Sequence, residues 1–297
     1  MKIIMYFYTF PFIISLVIKM KLSIIEKLRC LNCNSTLFDL KILRESQDEI
    51  IDGFLICRSC GTQYKIKEGI LIMMPNDIKI EGDDKIKVFH EYANRYDSWF
   101  TSDKGRILFQ NELKAIKKAI ENIAIHEAVE LGVGTGEFAV NLNINLGLDP
   151  AWNALKLAKK RGIETIQGIA EKTPFRENIF DAVFIIVSIC YVRSPTDVIK
   201  ETHRILKHNG HLIIGFIDRE SPWGRFYLRK KEMGHIFYKP ANFYTFDEIE
   251  KILQLSNFRI IRVISTIRQA PSDFPRIEEP IYGRDEASFI VILASKK

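Results

Sequence analysis

The stretch Ala128-Val129-Glu130-Leu131-Gly132-Val133-Gly134-Thr135-Gly136 decides the fold. An apolar run carries one acidic residue near its end, and three glycines follow at alternate positions. This is how a buried strand passes through a side-chain-free turn into a helix. Nineteen residues beyond Glu130, Asp149 closes a second apolar run, Ile144-Asn145-Leu146-Gly147-Leu148. Two acids at neighbouring strand ends predict a nucleoside-bearing ligand lying across the carboxyl ends of adjacent parallel strands.

Outward from this turn the pattern alternates. Strands are expected at about 128–133, 144–149, 163–167, 180–187 and 210–217, and helices at about 136–143, 151–161, 195–207 and 246–256. Such alternation predicts an α/β protein with a largely parallel, Rossmann-like sheet covered on both faces. The turn lacks the further glycine of a dinucleotide site, since Phe138 and Ala139 follow Glu137. A pyrophosphate gains from a helix N-terminus free of negative charge. Glu137 at the helix start and Glu130 beside the turn disfavour a dinucleotide and suit a cationic ligand. Asp149 can accept both hydroxyls of a ribose.

A separate signal lies upstream. Cys30-Leu31-Asn32-Cys33 and Cys57-Arg58-Ser59-Cys60 are two CxxC knuckles with 23 residues between them. Two tight turns, each offering two thiolates, match the tetrahedron that Zn2+ prefers, and four cysteines leave no open position for catalysis. Gly61 suits the left-handed conformation such a knuckle needs. The intervening chain is expected to form a hairpin, with Gln63-Tyr64-Lys65-Ile66 returning as a strand. So small a module is expected to draw much of its folding free energy from the metal. The alternative, two disulfides, requires an export signal. Cys190 stands apart, as a small apolar packing residue or a soft ligand in an acceptor site.

Composition bounds the rest. The 297 residues are 47% hydrophobic and 27% charged, with a net charge of +6. This is ordinary for a globular protein and too mild to argue for nucleic acid. Residues 1–19 are nearly all apolar or aromatic. They read either as a short anchor or signal, which would bring membrane contact, or as the product of a misplaced start, with Met20-Lys21-Leu22-Ser23 opening a cytoplasmic protein. The expected organisation is an apolar segment at 1–19, a zinc-ribbon module at 20–76, a linker and helical lead-in at 77–126, and the main domain at 127–297. In the lead-in, Phe89, Tyr92 and Tyr96 recur at helical spacing, and Ile107–Ile123 reads as a second helix. These aromatics either pack onto the sheet or, with Trp99, form a lid over the ligand.

Further motifs follow in order: Gly168-Ile169-Ala170-Glu171 with Pro174-Phe175, Phe180-Asp181-Ala182-Val183, and Glu201…Arg204-Ile205-Leu206 with Asn209-Gly210. With the glycine turn and Asp149-Pro150, residues 92–297 resemble the class I S-adenosylmethionine (SAM)-dependent methyltransferases of the small-molecule type. Residues 28–75 resemble the zinc-ribbon family of small methyltransferase-activating proteins, with Leu31 where that family usually has proline. The first resemblance implies a seven-stranded sheet whose last strand is antiparallel and SAM as cofactor; the second agrees with structural Zn2+ on the four cysteines of the ribbon. The first also implies that Gly132, Gly134 and Gly136 line the methionine part of the cofactor, with Glu130 near its ammonium. Asp149 would bind the ribose, Pro150 would border the adenine, and Ala170 and Glu171 would read the adenine edge. Ile169 departs from the aspartate common in relatives, which leaves that edge to backbone groups or Glu171.

Other charged groups read as structural: Asp181 at a strand end, and Glu201 with Arg204 as an i, i+3 pair on a helix. Arg229-Lys230-Lys231 beside Phe226-Tyr227 reads as a solvated loop or a nucleic-acid contact. The acceptor site is expected around Ser188, Ile189, Cys190 and Tyr191, under an insertion spanning 223–244. His235 and Tyr238 are the candidate bases, with no fixed acid–base constellation. The expected acceptor is a small molecule. The alternative is RNA or protein docked by the ribbon, and a non-catalytic cofactor-binding regulator is a third reading.

Overall fold

In a computed structural model of the chain, residues 20–46, 49–76 and 83–297 are described; the reading of residues 1–19 and most of the expected linker lie outside them. Among the described residues, twelve strands form one sheet. The N-terminal module contributes β1 (Phe38–Ser46), β2 (Glu49–Cys57), β3 (Gln63–Lys67) and β4 (Ile70–Ile72), paired antiparallel in sequence. The main domain contributes β5 (Ala128–Leu131), β6 (Leu146–Asp149), β7 (Glu164–Gln167), β8 (Phe180–Ile186) and β9 (Leu206–Ile217), then β10 (Phe258–Thr266), the short β11 (Ile281–Tyr282) and β12 (Phe289–Lys296).

Their order is β1-β2-β3-β4-β7-β6-β5-β8-β9-β12-β10-β11. Strands β4 to β9 run parallel, and β12 inserts antiparallel between β9 and β10. The expected seven-stranded core, with its last strand reversed, is therefore present. From β5 the chain steps outward through β6 to β7, then returns to the other side of β5 as β8. The turn after β5 sits at that reversal, where open α/β sheets bind ligands.

Side chains alternate across the strands, and the two faces build two apolar layers. Leu212, Ile214, Ile290 and Ile292 face one layer, which α6 (Pro195–Ile205) and α8 (Phe246–Leu255) close with Val198, Ile199, Ile249 and Leu253. Ile213, Val291 and Leu293 face the other. There α3 (Asp103–Ala119) brings Leu108 and Ile116, α4 (Glu137–Asn141) brings Phe138, and α5 (Trp152–Lys160) brings Leu155. The helix expected at Ile107–Ile123 begins earlier, because Ser102 caps it by accepting from Gly105 N at 3.1 Å.

One expectation needs correction, and two features go beyond what was expected. The module's strands continue the seven-stranded sheet: β4 pairs in parallel with β7, Leu71 opposite Ile166, and Met73 N donates to Gln167 O at 2.8 Å. The cysteine module also shares a core with the main domain. Met20, Leu28, Leu55 and Ile66 bury into the same apolar layer as Val129 and Leu131. Finally, the basic stretch expected as a loop is helical, α7 (Pro222–Glu232), because Ser221 accepts from Gly224 N and Pro222 occupies the first turn.

Two further helices, α1 (Asp84–Glu91) and α2 (Ala93–Asp97), lie over the carboxyl end of the sheet and pack on α5. Asp83 caps α1 through Lys85 N and pairs with Arg193 at 2.8 Å. Among the described residues, no helix is long and apolar enough to cross a membrane.

Candidate active site

The turn after β5 is fastened by backbone: Gly132 N donates to Leu148 O at 2.7 Å. A Cβ on Gly132 would stand 2.5 Å from Ser188 Cβ, so only glycine lets the turn close against the chain leaving β8. Gly134 serves differently. Its φ is +54°, and the nearest atom a Cβ would meet is Tyr96 Cε1 at 4.0 Å. The missing side chain opens onto a cleft.

Gly132, Gly134, Asp149, Pro150, Ala170 and Glu171 all border this cleft, and Ile86, Phe89 and Tyr96 cover it from α1 and α2. Two expected members do not border it. Gly136 begins α4 in the left-handed conformation, and its missing Cβ is space taken by Ile163. Glu130 is buried behind the turn, and its Oε2 has no hydrogen-bond partner among the described residues. Burial, with the nearby charge of Asp149, holds its carboxyl well above the usual carboxylate range.

Asp149 is 8% exposed at the end of β6. Its Oδ2 accepts from Gly134 N at 2.9 Å and its Oδ1 from Ala151 N at 2.8 Å. Each oxygen keeps a second lone pair. Burial pushes this carboxyl up to about 6, against the two N–H groups that pull it down. Glu171 Oε1 is already taken, by Arg193 N at 2.7 Å and Ser194 N at 3.4 Å. It fastens the loop that begins α6. Ile169, mostly buried, puts an apolar surface on the cleft where a carboxylate was absent from the motif. Gln167 Nε2 donates to Pro150 O at 2.9 Å, a support the motif did not signal.

Behind this cleft lies a cavity of about 370 Å3. The two share Tyr96, Val187 and Tyr191 as a common wall. Ile189, Cys190, Tyr191, His235 and Tyr238 line the cavity; Ser188 turns to the cleft, its Oγ donating to Leu131 O at 3.0 Å. Tyr238 stacks on Tyr227 at 4.4 Å and on His235 at 4.6 Å. Burial pushes the Tyr238 phenol up to about 12 and the Cys190 thiol up to about 12, and lowers His235. His235 Nδ1 is buried with no partner among the described residues. As to the expected lid, Tyr96 packs edge-on against Phe89 at 5.2 Å and Phe100 at 5.4 Å, whereas Tyr92 and Trp99 are each 40% exposed.

Two cavity residues carry no sequence signal. Val187 is a β-branched residue at φ +54°, held there by donating to Gly215 O at 2.8 Å. Such backbone strain collects at functional sites. Glu112 projects from α3 into the cavity wall, where sequence pattern makes it an ordinary charge on a helix.

The methyltransferase domain family model matches residues 129–214, which run from β5 to β9 and hold the turn and Asp149. An uncharacterized protein of Mycobacterium tuberculosis is 38% identical over 179 residues, 60% of this chain and 62% of that protein. The match thus spans about three fifths of that mycobacterial relative. An uncharacterized protein of Methanocaldococcus jannaschii is 36% identical over 71% of this chain and 100% of its own. The crystal structure of a SAM-dependent methyltransferase of Thermotoga maritima, also described as a possible histamine N-methyltransferase, superimposes with a TM-score of 0.67. It is 36% identical over 72% of this chain and 100% of that one. The chain belongs to the SAM-dependent methyltransferases. As a methyltransferase of this fold it carries its cleft where β5 and β6 end, and the open direction at Gly134 and the spare lone pairs of Asp149 fit a nucleoside.

The four cysteines of the N-terminal module converge. Their Sγ atoms lie within 4.8 Å of one another, with Cys30–Cys60 at 3.6 Å and Cys33–Cys57 at 3.5 Å. These separations are far longer than a disulfide, about 2.05 Å. Tyr64 Oη accepts from Leu31 N at 2.8 Å and sits 3.1 Å from Cys30 Sγ, bracing the first knuckle.

Proposed function

We propose that this methyltransferase acts on a small molecule held in the aromatic cavity behind Val187. Gly132, Gly134, Asp149, Pro150 and Ala170 would hold SAM in the cleft. The observation that carries this is the shared wall: one strained residue, Val187, and two tyrosines separate the cleft at Gly134 and Asp149 from a mostly aromatic cavity. When bound, SAM supplies a methyl group already activated on a sulfonium. The protein's task is then to bring the acceptor into line and exclude water. Asp149 would fix the ribose. Tyr96 and Tyr191 would orient the acceptor from the shared wall. His235, kept neutral by burial, is the group available to take a proton, and Tyr238 stacks against it.

We propose further that Cys30, Cys33, Cys57 and Cys60 hold a structural Zn2+. Thiolates about 2.3 Å from a tetrahedral ion stand about 3.8 Å apart, near the separations found. In this reading the ribbon, related to a family of separate activators, supports the methyltransferase sheet from within the same chain. The divisions 20–76 and 127–297 would then be functional units joined by one sheet, with helices of the 77–126 division packed on it.

An RNA or protein acceptor is the second reading. The basic last turn of α7 favours it, since α7 also gives Tyr227 to the cavity. Against it, Lys230 lies over the Phe226 ring at 5.4 Å and Lys231 donates to Ala241 O, so two of three cations are engaged within the chain. Labelled SAM added with the enzyme to a cell extract separates the readings. Label in the small-molecule fraction is expected; label confined to RNA or protein overturns the first reading. In titration calorimetry, Gly134→Val and Asp149→Ala are each expected to weaken SAM binding at least tenfold in a folded protein. Unchanged affinity in both would refute this placement of the cofactor.

A further inference from the structure

The cavity behind Val187 is not uniformly apolar. Eleven of its twenty lining residues are phenylalanine, tyrosine or tryptophan, and one carboxylate, Glu112, stands among them. Glu112 makes no hydrogen bond or ion pair among the described residues. The neighbouring polar groups on α3 are spoken for: Asn111 bonds the 276–278 segment and Lys114 pairs with Glu279. The Glu112 side chain is partly accessible. It lines the cavity, and burial there raises its carboxyl above the usual carboxylate range.

An ionised carboxylate in such a place is costly, so it either keeps a proton or takes a cation as partner. No cation among the described residues pairs with it. The groups that face it are the phenols of Tyr96, Tyr227 and Tyr238, all kept neutral by burial, with His235 also lowered and Cys190 raised. The one arginine of the lining, Arg95, is exposed. Aromatic faces around an anion are the surroundings that select an organic ammonium, by charge and by cation–π attraction together.

We infer that the acceptor is a small organic amine whose ammonium group is held by Glu112 against Tyr96, Tyr227 and Tyr238. This rests on the small-molecule reading above and deepens it. Burial pushes the Glu112 carboxyl up to about 8, so near neutral pH the empty site keeps its proton. An arriving ammonium favours the ionised form, and the proton leaves to buffer.

The test is calorimetry of the full chain saturated with S-adenosylhomocysteine. The probes are 2-phenylethylamine, benzylamine and histamine, each compared with its alcohol counterpart. At least one amine is expected to bind at least tenfold more tightly than its alcohol, with a heat that varies with the buffer's ionisation enthalpy. Glu112→Gln, close in shape, is expected to lose at least tenfold of the amine affinity and the buffer dependence, and Glu112→Asp to retain part of both. The dissociation constant of S-adenosylhomocysteine is expected to stay unchanged, which also reports that the variants fold. Equal binding of amine and alcohol, no amine binding at all, or an unaltered Glu112→Gln variant would each overturn the inference. With cofactor binding intact, those outcomes leave the methyltransferase reading standing. Loss of cofactor binding in the parent protein would instead remove that reading.

Discussion

Asp149 carries two opposed demands, and they give a prediction with a sign. Burial raises its carboxyl to about 6, above the ordinary value of 3.8. In the empty protein the ionised form is therefore a cost, and the folded state takes up a proton before the unfolded chain does. Stability from this group rises as pH falls from about 6 toward 3.8, and is lost as pH rises through 6. Glu130, also raised, contributes with the same sign. A ribose diol needs the ionised form as acceptor, so SAM affinity should move the other way, falling about tenfold per pH unit below 6. Calorimetry between pH 5 and 8 checks the second slope and thermal melts of the empty protein check the first. Parallel slopes would mean that Asp149 does not grip the cofactor. At this scale the glycines and Asp149 are legible in sequence, because backbone conformation and a strand-end acid leave a fixed spacing. Glu112 and Val187 are not. One looks like any helix charge and the other like any strand residue, and only tertiary packing gives them a site.

Among the elements, the loop from Gly168 to Phe175 depends on α6. Glu201 Oε1 accepts from Thr173 N at 2.9 Å and Thr173 Oγ1 at 2.6 Å, while Arg204 holds the same carboxylate at 2.6 Å and Phe175 O at 2.8 Å. Arg29 of the cysteine module reaches Glu201 at 3.8 Å. The i, i+3 pairing is legible from spacing alone, whereas the third partner, Thr173, is not, since it arrives from another element. Glu201→Ala strands a buried N–H, a hydroxyl and a guanidinium at once. The expected loss is about 3 kcal/mol of stability, measured by denaturant unfolding. Glu201→Gln, which can still accept, should lose less. Because the loop carries Ala170 into the cleft, SAM affinity should fall as well. A variant as stable as the parent would show that the network is ornamental to the loop.

Across the whole molecule, the sheet does not respect the boundary that composition suggests at residue 77. The parallel α/β order and the CxxC pair are legible separately, each from its own local pattern. Their union is not, because the β4–β7 pairing joins segments about a hundred residues apart and leaves no periodicity behind. The union has a thermodynamic consequence. Leu28 and Leu71 bury into the layer that also holds Leu148 and Ile166. Lys27 pairs with Glu127 at 2.5 Å, and Arg29 N and Arg176 N exchange backbone bonds across the seam with Pro174 O and Lys27 O. Units coupled through a shared core and ladder unfold together. If Cys30, Cys33, Cys57 and Cys60 hold Zn2+, stripping it should destabilise the methyltransferase sheet itself. In a chain of this size each 1 kcal/mol moves the melting midpoint by about 2–4 °C. Losing a few kcal/mol of metal binding should therefore lower the midpoint on the order of 10 °C, within one transition. Scanning calorimetry with and without chelator, paired with Cys33→Ser, reads this directly. Two separate transitions, only the earlier one metal-sensitive, would mean that β4 merely rests against β7 and that the ribbon is a tethered passenger. A single transition that drops as a whole would make the metal a determinant of the cleft sixty residues and more downstream.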